Sequence, residues 1–264
     1  MQHKHIRGVT FTGSSSTGAK IAETAAKAIK KTVLELGSND AYLILKDADL
    51  ESTVEACLVG RFNNVGQTCV AVKRLIVVDA IYEPFKKAYL AALKDLKVGD
   101  PLAKDTDMGP MARENLRDTL HEQVQESVKK GAKLLCGGEI PDGEGFFYPA
   151  TVLENVKPGM PAYDDELFGP VASLIKAKDT EDAIRIANDS RFGLGGGIFS
   201  QDEKRAVEIA RDELDTGMVN VNGYHLAQPN LPFGGVKDSG YGREHGGFGI
   251  REFLNTKSIM IQKQ

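Results

Sequence analysis

The sequence predicts an α/β fold, a three-layer αβα arrangement around a mainly parallel sheet. Three observations lead there. Short apolar runs of strand length alternate with longer segments whose apolar residues recur at helical spacing. Strands joined through helices must cross over, which makes them parallel and covers both sheet faces. The length, 264 residues, allows one large core or two modest ones.

Taken in order, "IRGVTF" reads as a strand and "TGSSSTG" as the turn into a helix with Ile21, Ala25, Ala28 and Ile29 on one face. "TVLEL" and "AYLIL" are the next strands. A helix from about Leu50 carries Val54, Cys57, Leu58 and Phe62 at helical spacing. "RLIVVD" is a strand, and Ile81, Phe85, Ala88, Tyr89, Ala92 and Leu96 form the stripe of the helix that follows. Residues 111–130 read as a polar helix, and "AKLLCGG" as a strand ending in a turn. Strand "VASLIKA", helix "TEDAIRIAND", strand "GGIFS", helix "DEKRAVEIARDEL" and strand "GMVNVN" complete the alternation. Glycines gather in "LCGGEIPDGEG", "FGLGGG" and "PFGGVKDSGYGREHGGFG", the last too glycine-rich for a regular element.

A net charge of −4, with both signs mixed along the chain, argues against nucleic acid or an anionic membrane surface as partner. The longest apolar runs, such as "LIVV" at 75–78, are too short to span a membrane, and "MQHKHIRG" has no signal-peptide core. Three cysteines form an odd, sparse set that suits a reducing cytoplasm, and their spacing matches no zinc pattern, so no metal is expected.

Cys57, on an apolar helical stripe, and Cys136, ending a strand, read as core. Cys69 differs. In "NNVGQTCVAVKR" it is crowded by Asn, Gly, Gln and Thr, whose backbone could serve a thiolate or an oxyanion. Composition alone leaves it open between nucleophile and bystander. Glu35 ends the apolar strand "TVLEL". A carboxylate there is costly unless it is exposed at the strand's carboxyl end, where open α/β sheets place their sites. A surface Glu is the alternative. "FTGSSSTG" could offer N–H groups and a positive helix end to a phosphate, or could simply cap a helix.

Taken together, "FTGSSSTG", "LELGSND" and "GQTC" resemble the coenzyme turn, general-base strand and nucleophile loop of the NAD(P)-dependent aldehyde dehydrogenase superfamily. "DELFGPV" at 165–171 and "PFGGVKDSGYGRE" at 232–244 resemble two further motifs of that family in the same order. The wording of "LKVGDP", "MGPMAR", "NDSRFGL" and "VNVNGY" is similar to its succinate-semialdehyde dehydrogenase branch. The resemblance implies that Cys69 is the nucleophile and Glu35 the general base of an enzyme that oxidises a small aldehyde with NAD or NADP. It implies coenzyme contacts from Gly13, Ser14, Leu36, Gly37, Glu166 and Phe168. Phe233 would wall the substrate tunnel and Asn222 would support the site. Asn63 stands where many succinate-semialdehyde enzymes carry an Arg for the distal carboxylate; nearby Arg61 and Arg74 are expected to be surface or structural charges. Ala71 stands where some relatives have a second, redox-active Cys.

The resemblance further implies a division into residues 1–36, a remnant of a Rossmann-like dinucleotide-binding domain, 37–237, the catalytic domain, and 238–264, an extension ending in an interface strand "NTKSIMIQ". The front of the family's pattern is missing, including an Asn of the oxyanion hole. The expectation is therefore a catalytic portion of a longer, homo-oligomeric form. A partner-dependent or non-catalytic fragment and a residual thiol esterase are the alternatives.

Overall fold

The computed structural model describes residues 1–263. It opens with strand β1 (Gly8–Thr12), helix α1 (Ser15–Lys27) and strand β2 (Lys31–Glu35), and the two strands pair in parallel with Thr12 opposite Glu35. This is a small βαβ unit. Gly18 lets its helix approach closely, since a Cβ there would stand 2.5 Å from the Leu36 side chain.

The large sheet begins with β3 (Ala41–Ile44), followed by α2 (Leu50–Phe62), β4 (Arg74–Val78), α3 (Asp79–Ala92) and α4 (Glu114–Lys129). It continues with β5 (Lys133–Cys136), β6 (Thr151–Glu154), α5 (Pro161–Asp164), β7 (Val171–Ala177) and α6 (Thr180–Asn188). The last stretch holds β8 (Phe192–Gly193), β9 (Gly196–Phe199), α7 (Glu203–Asp212), β10 (Asn220–Val221), β11 (Val236–Lys237), β12 (Gly240–Tyr241) and α8 (Phe248–Glu252). Seven strands order as β10-β9-β3-β4-β7-β6-β5, and every pairing is parallel except β5 with β6. The mainly parallel α/β arrangement expected from the alternation is the one observed. β3 and β4 are buried along their whole length, which is why they read as unbroken apolar runs rather than alternating ones.

Aspartates at the N-caps start three helices: Asp49 accepts from Ser52 N, Asp179 from Asp182 N and Asp202 from Arg205 N. One core spans the large sheet and its helices and includes Cys57, Tyr42, Phe85 and Tyr89, all fully buried. The reading of Cys57 as core holds. Cys136, on the edge strand β5, is only half-buried.

One expected element is absent among the described residues. "NTKSIMIQ" forms no strand, and Ile259, Met260 and Ile261 are 80%, 93% and 88% exposed. An extended segment with no neighbouring strand leaves its backbone groups to solvent, so nothing in this chain fixes it as β-structure. Conversely, β12 brings the glycine-rich C-terminal region back onto β2, where Gly240 pairs with Glu35 and Tyr241 with Leu34, closing a three-stranded sheet β1-β2-β12.

Candidate active site

Cys69 is presented by a loop held in an unusual conformation. After α2 the chain makes a short 3-10 turn, Asn63–Gly66, in which Asn64 and Val65 take φ of 52° and 57°. Left-handed backbone is rare for a β-branched residue and persists only where its surroundings impose it. Arg61 does so. Its guanidinium is fully buried and donates from Nη2 to the carbonyls of Gly66 and Gly169, both at 2.7 Å, and from Nη1 to Val72 O at 3.4 Å. Gly66 is required here, because a Cβ would lie 2.4 Å from both Arg61 Nη2 and Gly169 O.

Arg74 is buried too, donating to the carbonyls of Asn39, Ile186 and Ala187 at 2.9 Å each. Burial pushes both arginines down to about 10, which leaves them charged at neutral pH. Of the two roles open to these arginines, surface or structural, both are structural. Polar residues of the loop had disguised how deep its flanks run.

The Cys69 thiol is half-buried. Its backbone carbonyl accepts from Ser38 Oγ and, at 2.6 Å, from Lys73 Nζ. Burial raises the thiol above its usual range; the Lys73 ammonium and the Val70 N–H oppose that rise, whereas Asp40 and Glu166 add to it. On balance burial disfavours the thiolate, and Lys73 is the largest influence against that.

Glu35 closes β2, its carbonyl accepting from Gly13 N at 3.0 Å. Its side chain is only 3% exposed, and neither carboxyl oxygen has a hydrogen-bond partner among the described residues. The exposed strand-end carboxylate anticipated above is thus a buried one. Burial first, and then the nearby Glu244, raise its pKa from 4.5 to about 8, against an opposing pull from Arg243. Gly234 makes room for it, since a Cβ there would stand 2.8 Å from Glu35 Oε1.

A cavity of about 440 Å³ opens beside the thiol. Thr12, Gly13 and Ser14 line it from the β1–α1 turn, Leu36 and Gly37 from the end of β2, and Cys69 from the nucleophile loop. Glu166 and Phe168 complete the wall together with Arg113 and Leu116 at the start of α4. The sequence reading had assigned seven of these residues, Gly13, Ser14, Leu36, Gly37, Cys69, Glu166 and Phe168, to one site, and the structure brings them together. The volume lies in the range of small-molecule sites.

The lining suits a nicotinamide coenzyme. The N-terminus of α1, capped by Ser14, has no acidic residue in its first turn to repel a phosphate. Leu36, Leu116 and Phe168 provide apolar wall, and Glu166 provides a carboxylate able to accept from a ribose hydroxyl. Gly37 is what lets that carboxylate in, since a Cβ would stand 2.7 Å from Glu166 Oε2. No group of His, Cys, Asp or Glu suited to a metal occurs among the described residues.

Glu35 is not part of the cavity wall, and neither are Phe233, Asn222 and Asn63. Phe233 is buried in a small cluster with Leu194, Met218 and Leu226, against which Cys69 and Val70 pack. Asn222 is exposed at φ 56° and uses both ends of its amide on Ser200, so it supports a turn beyond β9 rather than the cavity. Asn63 is exposed at the end of α2. Sequence reasoning missed Arg113 and Leu116, although both stand in or beside the "MGPMAR" wording that carried part of the resemblance. It also missed Lys73, a charged residue enclosed by the apolar runs 70–72 and 75–78 and itself buried.

The model of the aldehyde dehydrogenase family matches residues 1–259. The chain is 47% identical over 259 residues to a succinate semialdehyde dehydrogenase [NAD(P)+] of Escherichia coli, covering 98% of this chain and 56% of that protein. It is 44% identical over 263 residues to a succinate-semialdehyde dehydrogenase [NADP(+)] of Mycobacterium avium, covering 99% and 55%. Among solved structures, the succinic semialdehyde dehydrogenase of Streptococcus pyogenes in complex with NADP+ superposes with a TM-score of 0.96 at 40% identity, covering 99% of this chain and 57% of that one. An aldehyde dehydrogenase of Mycobacterium tuberculosis complexed with NAD+ gives 0.95 at 35% identity, with 99% and 54% covered. The chain spans about half the length of the curated relatives it matches.

Proposed function

This chain belongs to the aldehyde dehydrogenase family, and we propose that it carries the catalytic groups of an enzyme oxidising an aldehyde to the carboxylate with NAD or NADP. The observation that carries the proposal is the shared cavity, in which Cys69 faces the residues suited to a nicotinamide coenzyme. Cys69, once deprotonated, attacks the aldehyde carbon, and its own backbone N–H helps hold the oxyanion of the thiohemiacetal. A nicotinamide coenzyme, held by Gly13, Ser14, Leu36, Gly37, Glu166 and Phe168, would supply the hydride acceptor, leaving the acyl group on Cys69 as a thioester. Glu35, as carboxylate, takes a proton from water, and that water hydrolyses the thioester. A carboxyl raised to about 8 is a stronger base than an ordinary Glu, at the expense of being ionised only in part at neutral pH.

Succinate semialdehyde, or a similar short aldehyde, is the substrate we favour, because the relatives named for it match at 47% and 44% identity. Phe233 is proposed as a wall on the substrate side, since it packs in the cluster that Cys69 also touches. The test is reduction of NAD or NADP on addition of succinate semialdehyde, with Cys69→Ser as control. Coenzyme reduction that depends on both the aldehyde and Cys69 supports the reading; a signal unchanged in Cys69→Ser sinks it.

A second reading shares the same groups. Acylation of Cys69 and its hydrolysis through Glu35 need no hydride acceptor, so this chain could act as a thiol esterase towards activated esters. Slow ester turnover with no aldehyde-dependent coenzyme reduction would select it.

A further inference from the structure

Behind the nucleophile loop lies a charged group that the chemistry above does not use. Lys73, at the foot of β4, has a side chain only 2% exposed. Its ammonium donates to Ser38 Oγ at 2.9 Å, to Thr68 O at 3.2 Å and to Cys69 O at 2.6 Å, and stands 3.3 Å from Glu166 Oε1. A buried ammonium is tolerated only with its protons and its charge answered, and here three oxygens and a carboxylate answer them.

We propose that Lys73 is a positioning residue for the nucleophile: it clamps the two carbonyls of the Cys69 loop and sets a fixed positive charge against the carboxylates of Asp40 and Glu166, which would otherwise face the thiol unopposed. The proposal rests on the reading of Cys69 as the nucleophile.

The charged groups around the thiol can be named. Asp40 is buried behind the loop, its Oδ1 accepting from Gly195 N at 3.0 Å while its backbone carbonyl accepts from the Lys73 and Arg74 N–H groups. Glu166 comes from the segment before β7 and Arg113 from the start of α4, both lining the cavity with Cys69. Of these, Lys73 alone touches the Cys69 peptide and Glu166 together. It therefore couples the nucleophile to the acid we assign to the coenzyme ribose. A neutral donor could hold the two carbonyls equally well. Only a cation also offsets two carboxylates, and for an ammonium whose side chain is 2% exposed that offset is strong. The Lys73 charge is already among the influences that hold the thiol down.

The experiment is the pH profile of Cys69 alkylation by iodoacetamide, read by peptide mapping, in wild type, Lys73→Gln, Lys73→Met and Lys73→Arg. It needs neither aldehyde nor coenzyme, so its failure is distinct from failure of the oxidation. Lys73→Gln and Lys73→Met should shift the profile up by about one unit or more, slowing alkylation roughly tenfold in the thiolate-limited range. Lys73→Arg should keep the profile near wild type. A profile unchanged in Lys73→Gln would make Lys73 a mere strut and overturn the proposal. Where Lys73→Met does not fold, Lys73→Gln, which retains a donor for the carbonyls, decides. A wild-type Cys69 that resists alkylation throughout removes the nucleophile itself, and both readings fall.

Discussion

At the scale of single residues, burial works against ionisation of both groups to which we assign the chemistry. It raises the Cys69 thiol above its usual range and the Glu35 carboxyl to about 8. For Glu35 the sign follows from linkage. Its folded pKa lies above the ordinary 4.5, so the folded state holds a proton that the unfolded chain has released. That contribution to stability is complete below about pH 4.5 and is lost as pH rises through about 8. We therefore expect Glu35→Gln to remove this loss and to exceed wild type by on the order of 1–3 kcal/mol near pH 9 in urea unfolding. Equal wild-type and Glu35→Gln stability at every pH would contradict a buried, raised carboxyl. Hydrolysis of an acylated Cys69 should show the opposite trend, accelerating towards a plateau above about pH 8. Cys69 and Glu35 were legible from sequence as members of a family pattern. Their ionisation was not, because Arg243 and Glu244, which tune Glu35, return from the far end of the chain.

Among elements, the segment from α2 to β4 decides whether the site exists. Its left-handed residues, Asn64 and Val65, are imposed by Arg61 rather than preferred. Replacing Arg61 by Met leaves the carbonyls of Gly66 and Gly169 buried without that donor. It should destabilise the fold by about 2–4 kcal/mol in denaturant titration and slow Cys69 alkylation; wild-type stability would show that the clamp is dispensable. On the coenzyme face, Gly37→Ala should push the Glu166 carboxylate from its place and weaken NAD or NADP binding about tenfold, or about 1.4 kcal/mol, by calorimetric titration. Unchanged affinity would remove Glu166 from the coenzyme site. Period and apolar runs made most elements readable in advance. "TVLE" at 151–154 was overlooked because it is a four-residue strand enclosed by irregular chain, and β8, β11 and β12 have two residues each, too few to show any period. The "NTKSIMIQ" segment failed as a strand for the opposite reason: its sequence favours one, but pairing is supplied by a neighbour and not by the segment.

For the whole molecule, that segment has a physical consequence. Leu254, Ile259, Met260 and Ile261 are 56% to 93% exposed, an apolar stretch that other apolar surface would cover at a gain. We expect the chain to self-associate through it. Deleting residues 255–263 should shift sedimentation towards the monomer, whereas an unchanged distribution would place association elsewhere. The central assignment is the nucleophile. The most direct measurement is therefore covalent. The protein is treated with p-nitrophenyl acetate while nitrophenol release is followed, and the acetylated peptide is then mapped in wild type, Cys69→Ala and Glu35→Gln. The account predicts an acetyl group on Cys69, no such adduct and no fast release in Cys69→Ala, and a burst followed by slowed turnover in Glu35→Gln. Release at the same rate from wild type and Cys69→Ala, with the label spread over Cys57, Cys136 or other side chains, would contradict it.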